Sequence, residues 1–327
     1  MKRRTFVKLL GGTALSAIPL STRAQPAALP VIGFLGLTSF DEWKGYVAAF
    51  HRGLGEAGFA AGRNVEMEYR WADGHYDRLP VMAADLVSRK VNVIVTVAPP
   101  AALAAKAATR TIPIVFFMGA DPVKLGLIES FNRPGGNVTG VTALANTIDA
   151  KRLQLLHELA PQASVSAFLV NPTNQNAEPD TSEMQSAATA LGQNLVVAKA
   201  RTDDDIDAAF AMFKQTNAGG LVVNPDPFLL GRRERITALA GRGHLPTVFH
   251  THEPVEAGGL ISYGASFPEA HRQVGLYTAR ILKGEKPNDL PVPQATKFEM
   301  VINLKTAQSL GVNVPPSLLV TADRVIE

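Results

Sequence analysis

Short, uninterrupted apolar segments alternate with segments of helical periodicity along the chain, and this alternation restricts the possible folds more than any other feature. Val31–Leu37 is one such apolar run, and apolar residues then recur at helical spacing from Trp43 to Leu54. The pattern predicts further strands at Val65–Trp71, Val91–Val97, Ile112–Phe117, Val165–Val170, Leu195–Val197, Leu221–Val223, Pro246–Phe249 and Gly259–Ser262. It predicts helices at Leu79–Val87, Ala101–Ala108, Glu183–Leu191, Asp204–Lys214 and Arg232–Leu239. Strands that are apolar throughout are typical of parallel sheets covered on both faces, so we expect an α/β fold of two doubly wound units in tandem.

Each half of the chain carries an Asp-Pro pair directly after an apolar strand. Asp121-Pro122 follows Ile114–Ala120, and Asp226-Pro227 follows Leu221–Val223 by two residues. Ligands of open α/β sheets bind outside the carboxyl ends of the strands, so the two pairs indicate a duplicated unit with a cleft between the copies. Asp-Pro is also a common helix start, with Asp as the cap and Pro at the first helical position. The two interpretations are compatible.

The first 24 residues have the anatomy of an export signal. A basic segment is followed by an apolar stretch from Leu9 to Leu20 and by a small residue, Ala24, at the expected cleavage site. The run Lys2–Lys8 resembles a twin-arginine motif, and a general secretory signal with a chance Arg pair is the alternative. We therefore expect a periplasmic protein that begins near Gln25 and is soluble, because no later segment reaches 18 uninterrupted apolar residues.

Charge and cysteine content exclude several classes of protein. Five of the 32 basic residues and none of the 29 acidic residues lie in the first 24 positions, so the formal net charge of the rest is −2 instead of +3. This balance gives no reason to expect a nucleic acid or an anionic membrane as partner. The chain has no cysteine, which excludes a disulfide scaffold, a thiol nucleophile and a cysteine-ligated metal.

Motifs for catalysis or cofactor binding are weak. Gly53, Gly55 and Gly58 match the dinucleotide-binding spacing, but they lie at the end of a predicted helix instead of between a strand and a helix start. His250 and His252, with Glu253, form the one cluster that resembles metal ligands, and a chance pair of histidines in a loop is the simpler interpretation. We therefore expect no cofactor, no metal and no catalytic residues.

Several segments together resemble one known family. They are Ala101–Thr109, Ile112–Ile114, the glycine-rich stretch Gly126–Val141, and Asn303–Gly311 with Pro315-Pro316. These segments are similar to the substrate-binding proteins of ABC transporters that include tryptophan- and tyrosine-type binders. The resemblance implies a type I periplasmic binding protein, with two Rossmann-like lobes joined by a three-crossing hinge. It also implies a small organic ligand such as an amino acid or aromatic compound, an ABC permease and its ATPase as partners, and a monomer without enzymatic activity.

The resemblance also suggests ligand contacts in the first lobe. Thr38 and Ser39 follow the first strand and would face a ligand carboxylate, while Phe40 would form an apolar wall or belong to the core. Pro99 lies in Ala98-Pro99-Pro100 at the end of the third strand, where relatives often carry Gly and a hydroxyl residue. Proline has no backbone N–H to offer, so a conventional amino acid ligand is in doubt. Asp121 would also reach the cleft from this lobe.

Four more candidates come from the second lobe and the hinge. Asn171 and Thr173 follow one strand, and Asp226, which follows another, is the candidate for binding an ammonium or hydroxyl group. Tyr263 would be a wall residue, with a place in the core as the alternative.

We expect the chain to cross between lobes near Val141–Asn146, Tyr263–Phe267 and Pro291–Phe298. These crossings assign residues 25–143 and 266–290 to the first lobe, and residues 144–265 and 291–327 to the second. Ligand contacts from both lobes would favour a closed state that the permease recognises.

Two other functions remain open at this point. One is a ligand-binding module for a sensor or for an uptake system without an ABC permease. The other is a periplasmic α/β enzyme, for which His250 and His252 are the only candidate metal ligands.

Overall fold

The computed structural model describes residues 28–143, 148–294 and 298–327. Its strands are β1 Val31–Gly36, β2 Glu66–Trp71, β3 Val93–Val97, β4 Ile114–Met118, β5 Val138–Thr142, β6 Val165–Val170, β7 Asn194–Lys199, β8 Leu221–Val223, β9 Thr247–Phe249, β10 Ile261–Ala265, β11 Phe298–Asn303 and β12 Arg324–Ile326. Its α-helices are α1 Phe40–Glu56, α2 Leu79–Ser88, α3 Ala98–Ala108, α4 Asp149–Leu159, α5 Ala177–Ala190, α6 Asp203–Gln215, α7 Pro227–Gly231, α8 Arg233–Arg242, α9 Glu253–Glu256, α10 Phe267–Leu282, α11 Leu304–Leu310 and α12 Pro316–Thr321.

The strands form two sheets, as the alternating pattern predicts. The first sheet has the order β2-β1-β3-β4-β5 and is parallel throughout. The second has the order β12-β11-β10-β9-β8-β6-β7, and in it only β10 and β11 pair antiparallel. The run β7-β6-β8-β9-β10 repeats the strand order of the first sheet, which agrees with a duplicated doubly wound unit. We call each sheet with its helices the first lobe and the second lobe.

Helix α10 follows β10 of the second sheet but packs on the first lobe. Its residues Phe267 and Val274 belong to the apolar core around β1, β3 and β4, as do Leu290 and Val292. The helix lies very close to α1, because a Cβ atom at Gly53 would be 1.9 Å from the carbonyl oxygen of Arg272. Gly53, the first glycine of the dinucleotide-like spacing, therefore serves helix packing.

Several elements differ from the sequence expectation, among them α4 and α10, which were not predicted. Helix α5 begins at Ala177, six residues before the predicted start, because Pro179 falls in its first turn, where proline is tolerated. The segment after β8 forms α7 and α8 instead of one helix starting at Arg232. Strand β5 was not expected, since Gly140 in its centre is typical of a turn.

Two of the three expected crossings fall partly outside the described residues. The crossing at Ala265–Phe267 is described throughout, whereas the other two include residues 144–147 and 295–297. In the described parts of the first and third crossing segments, the amide of Thr142 donates to the carbonyl oxygen of Pro293 at 3.1 Å. The two segments are therefore hydrogen-bonded to each other. The expected export signal, residues 1–24, also lies outside the described residues. Within the described ranges, no helix has the length and apolar character needed to cross a membrane.

Candidate functional site

A cavity lies between the carboxyl ends of strands from the two lobes. The space in it that the centre of a water-sized sphere can occupy is about 30 Å³. From the first lobe it is lined by Trp43, Val97, Ala98, Pro99, Phe117, Met118, Gly119 and Phe267. From the second lobe it is lined by Asn174, Asn176, Pro225, Asp226, Pro227, Leu230 and His250. Neither lobe forms this cavity alone, which is the geometry expected of a ligand site between two doubly wound units.

Asp226 lies at the centre of a hydrogen-bond network in the second lobe. As the N-cap of α7, its Oδ1 accepts a bond from the amide of Leu229 at 3.1 Å and another from Asn171 Nδ2 at 3.2 Å. Its Oδ2 accepts from Asn174 Nδ2 at 2.9 Å and from the hydroxyl of Tyr76 at 3.2 Å. Burial raises the pKa of this carboxyl group, and the four donors oppose that rise. The protein thus already fills the acceptor positions with which Asp226 was expected to bind a ligand.

Tyr76 connects this network to the first lobe. It lies in a 3-10 helix, Tyr76–Arg78, between β2 and α2. Its hydroxyl donates to Asp226 and accepts a bond from Asn171 Nδ2 at 3.4 Å. Burial, and next the nearby Asp226 carboxylate, raise the pKa of Tyr76, so the hydroxyl remains a donor at neutral pH.

A second inter-lobe contact is an ion pair. Arg232, at the junction of α7 and α8, pairs with Glu42 in the first turn of α1. The same guanidinium donates from Nε to Asp203 of its own lobe at 2.6 Å. The two lobes are therefore held together by hydrogen bonds and an ion pair in this structure.

The other second-lobe candidates lie at the mouth of the cleft. Asn171 and Thr173 line an outer groove together with Tyr76, Asp203 and Arg232. The hydroxyl of Thr173 donates to Asn171 Oδ1 at 2.7 Å. These two residues therefore belong to the entrance of the cleft instead of the inner cavity.

Of the first-lobe candidates, only Pro99 lines the cavity. Thr38 is buried and its hydroxyl has no hydrogen-bond partner among the described residues, while Ser39 caps α1 by accepting from the amide of Glu42. Phe40 is 46% exposed and packs edge-on against Tyr69 and Trp71, away from the cavity.

Asp121 and Tyr263 also lie outside the cavity lining. Asp121 Oδ1 accepts from the amides of Val123 and Lys124, which is a turn-capping role. The ring of Tyr263 packs near Phe298, with 6.0 Å between ring centroids. Its carbonyl oxygen accepts a hydrogen bond from Arg152 Nε at 2.9 Å.

The β3–α3 junction gives the first-lobe wall an unusual backbone. Helix α3 begins at Ala98, directly after the last residue of β3, and Ala98 has a φ of 64°. Pro99 and Pro100 follow in the first turn of the helix. Since proline has no N–H, this helix end lacks two of the donors that helix N-termini commonly offer to anions.

His250 was considered as a metal ligand, but it contributes to the cavity wall. Its ring centroid lies 5.4 Å from that of Phe267, and its Nδ1 has no hydrogen-bond partner among the described residues. Burial, and next the charge of Arg152, lower the pKa of His250 well below its ordinary value, so the imidazole is neutral. The part of the chain that the structure describes holds no group of three or more metal-binding side chains.

Behind His250 lies a fully buried ion pair between Arg152 and Asp149 of α4. Burial raises the pKa of Asp149 to about 6, against the opposing charge of Arg152. Because Arg152 also binds the carbonyl of Tyr263, the pair connects α4, which follows the first crossing, to β10, which precedes the second.

Sequence reasoning did not identify Trp43, Tyr76, Phe117, Phe267 or Leu230 as cleft residues. Trp43 was named only as one of the apolar residues at helical spacing. It is 2% exposed, so burial alone does not separate a core residue from a wall residue. A position at the end of a strand was the available signal for Phe117, the penultimate residue of β4.

The chain resembles substrate-binding proteins in sequence and in structure. The family model described as ABC transporter substrate binding protein matches residues 32–326. A tyrosine-binding protein of Clostridioides difficile strain R20291 is 26% identical over 267 residues, which cover 82% of this chain and 75% of that protein.

Solved structures with the same fold cover nearly the whole described chain. A conserved domain protein from Vibrio cholerae O1 biovar El Tor superposes with a TM-score of 0.82 at 26% identity, over 90% of this chain and 99% of that one. The ABC domain in complex with L-Trp from Streptococcus pneumonia also gives a TM-score of 0.82, at 24% identity over 91% of this chain and 100% of that one.

Proposed function

Since the chain belongs to the ABC transporter substrate binding protein family and has the fold of the type I periplasmic binding proteins, we propose that it captures a small organic ligand between its lobes and delivers it to an ABC permease by closure. The family consists of binding proteins instead of enzymes. The observation that carries the proposal is the cavity, because its walls come from both lobes and a bound ligand would therefore contact both. A ligand with contacts to both lobes favours the closed arrangement over the open one.

The proposed lobes are residues 25–143 with 266–290, and residues 144–265 with 291–327. The packing of α10 and Leu290 in the first core supports this division. Val292, which this division assigns to the second lobe, also packs in the first core, so we move the boundary between the lobes to a position after Val292. Closure would be a rotation of these two bodies about the crossing segments.

Delivery requires export, and we propose that residues 1–24 direct it by the twin-arginine route to the periplasm, where the monomer meets the permease and its ATPase. The basic run Lys2–Lys8 and the apolar stretch after it support this proposal. Fractionation of cells that carry Arg3→Lys/Arg4→Lys tests it: retention in the cytoplasm is expected, and unchanged export would indicate the general secretory route.

For ligand contacts, Pro99 and Asp226 both line the cavity, but Asp226 would contribute its position and not a free acceptor, because four protein donors occupy its oxygens. Asn171 and Thr173 are the candidates at the entrance. Thr38, Ser39, Phe40, Asp121 and Tyr263 do not line the cavity in this closed arrangement. Their contribution would require an open or partly open state.

The closing experiment measures binding and shape together. The purified protein is freed of bound ligand by partial unfolding and refolding, and thermal melting is then recorded against a library of small metabolites. A ligand at 100 times its Kd adds about 2.7 kcal/mol to the stability. Small-angle X-ray scattering of the same samples should show a smaller radius of gyration with the ligand. A ligand that raises the melting temperature without any compaction would contradict delivery by closure.

A further inference from the structure

We propose that the ligand of this protein is a compact aromatic molecule without charged groups, and not an amino acid zwitterion or a carboxylate. The inference rests on the proposed function, and it follows from which groups line the cavity and which of them are already hydrogen-bonded.

The cavity walls are mostly apolar and include three aromatic rings. Trp43, Phe117 and Phe267 line it from the first lobe, and Leu230 lines it from the second. Aromatic rings pack favourably, edge-on or offset, against a ligand ring. The walls therefore suit a flat apolar body better than a fully polar one.

The charges at the cavity oppose an anionic group. Among the described residues that line it, none is a lysine or an arginine, and the one carboxylate is Asp226. A ligand carboxylate would lose its hydration and face a like charge without a cationic partner. An ammonium group gains little, because four protein donors already occupy the two oxygens of Asp226.

The backbone at the first-lobe wall does not offer a ligand anion the hydrogen bonds that could take the place of a lysine or arginine. Pro99 and Pro100 occupy the first turn of α3, where free N–H groups would otherwise point toward an anion. The hydroxyl of Ser39 is engaged in capping α1.

Two neutral polar groups remain available to orient a ligand. The imidazole of His250 is buried, and its Nδ1 makes no hydrogen bond within the described residues. Asn176 also lines the cavity, and its side-chain amide does not cap α5. Together they can donate to and accept from an uncharged group such as an indole N–H, a phenol or a carboxamide.

Three pairs of probes test the inference. The two members of a pair share the same aromatic ring, and only one of them carries charged groups. The pairs are indole with L-tryptophan, phenol with L-tyrosine, and benzamide with benzoate. Calorimetry and melting of the ligand-free protein should show that at least one uncharged member binds at least tenfold tighter than its charged counterpart. Tighter binding of the charged members would overturn the inference, as would the absence of binding by all six probes.

Variants locate the effect in the cavity. His250→Phe and Asn176→Ala should each weaken benzamide binding at least tenfold, with the melting temperature of the free protein as the check on folding.

Pro99→Gly/Pro100→Ser restores two N–H donors and should raise the affinity for L-tryptophan at least tenfold. Pro316→Ser, at the start of α12 and far from the cavity, is the matched control and should change neither affinity. An unchanged affinity for L-tryptophan in the double variant would contradict the role assigned to the prolines.

The protein as purified from cells is denatured, and the small molecules that it releases are identified by mass spectrometry. This measurement distinguishes failure of the inference about the ligand from failure of the proposed function. Release of a carboxylate or a zwitterion would overturn the charge class while leaving a solute-binding function in place. If no compound is released and no metabolite raises the melting temperature, the proposed function fails as well.

Discussion

The hydroxyl of Tyr76 in the first lobe donates a hydrogen bond to Oδ2 of Asp226 in the second, at 3.2 Å. Asp226 is the N-cap of α7 and lines the cavity, so a single carboxylate connects the helix start, the ligand space and the contact between lobes. In the closure proposed here the lobes would have to meet for this bond to form, so it would report the closed state.

Tyr76→Phe should weaken ligand binding by between about tenfold and a hundredfold, because a hydrogen bond to a charged group contributes about 1.5–3 kcal/mol and this one would be lost on opening. Titration calorimetry measures the affinity, and scattering should show a larger radius of gyration for the variant. Tyr69→Phe removes a hydroxyl that contacts His51 within the first lobe, so it serves as the control. Equal effects of both substitutions would contradict a specific role for Tyr76 in closure.

The Glu42–Arg232 ion pair should stabilise closure by only about 0.5–1 kcal/mol, since both side chains are partly exposed and solvent screens them. A double-mutant cycle with Glu42→Gln and Arg232→Gln measures this coupling in the ligand affinity. The Arg232–Asp203 pair lies within the second lobe, so the cycle with Asp203→Asn should show no coupling in affinity. The inter-lobe coupling should also decrease at 1 M salt.

Arg152→Met should destabilise the protein by about 3–5 kcal/mol, because it leaves the carboxylate of Asp149 buried without its partner. Urea unfolding measures the loss. Asp149→Asn/Arg152→Met removes both charges and should recover much of that stability. If the double variant is no more stable than Arg152→Met, the lost hydrogen bond to Tyr263 O, and not the unpaired charge, is the main cause.

His271 should make the protein sensitive to acid. Its Nε2 accepts from the indole of Trp43 and its Nδ1 donates to the carbonyl of Phe267, an arrangement that only the neutral ring can make. Burial lowers its pKa to about 4. The unfolded chain therefore takes up this proton first, so the stability from neutral His271 is fully present above about pH 6.5 and is lost as the pH falls toward 4.

The expected loss from this group between pH 7 and pH 5 is about 2 kcal/mol. Urea unfolding at the two pH values should show a smaller loss for His271→Gln than for the unchanged protein. His75→Gln alters an exposed histidine and is the control. A pH dependence that is identical in all three proteins would exclude His271 as a source.

Gly53→Ala and Gly55→Ala should have opposite effects although both lie in α1. A Cβ at Gly53 would be 1.9 Å from the carbonyl oxygen of Arg272, which forces α1 and α10 apart, whereas a Cβ at Gly55 meets nothing within 4 Å. Gly55→Ala should therefore stabilise the protein by up to about 1 kcal/mol through helix propensity. Thermal melting measures both, and a stabilised Gly53→Ala would contradict the close packing.

Much of the fold was predictable because buried strands and amphipathic helices leave a clear pattern. Strands β1 and β6 and helix α1 match their predicted segments closely. Strand β5 was missed because Gly140 usually indicates a turn. In this sheet it permits close packing, since a Cβ there would be 2.2 Å from the carbonyl oxygen of Phe116. A single sequence does not distinguish these two uses of glycine.

The site was less predictable, since it depends on how the lobes meet. The Asp226 position was found from the strand-end rule, and Pro99 from its departure from the family pattern. The partner of Asp226 across the cleft, Tyr76, is 150 residues away in sequence, and nothing in its neighbourhood indicates that contact. Trp43 and Phe267 were hidden because cavity walls and cores draw on the same apolar residues.

The direct passage from β3 into α3 at Ala98 limits how this wall can change during evolution. Loops commonly tolerate insertions and deletions, but here strand and helix meet without a loop to lengthen. A φ of 64° at Ala98 also costs about 1–2 kcal/mol for a residue other than glycine, so the neighbouring packing must already hold this conformation in place. New ligand preferences in the first lobe must therefore arise by exchanging side chains on a fixed backbone.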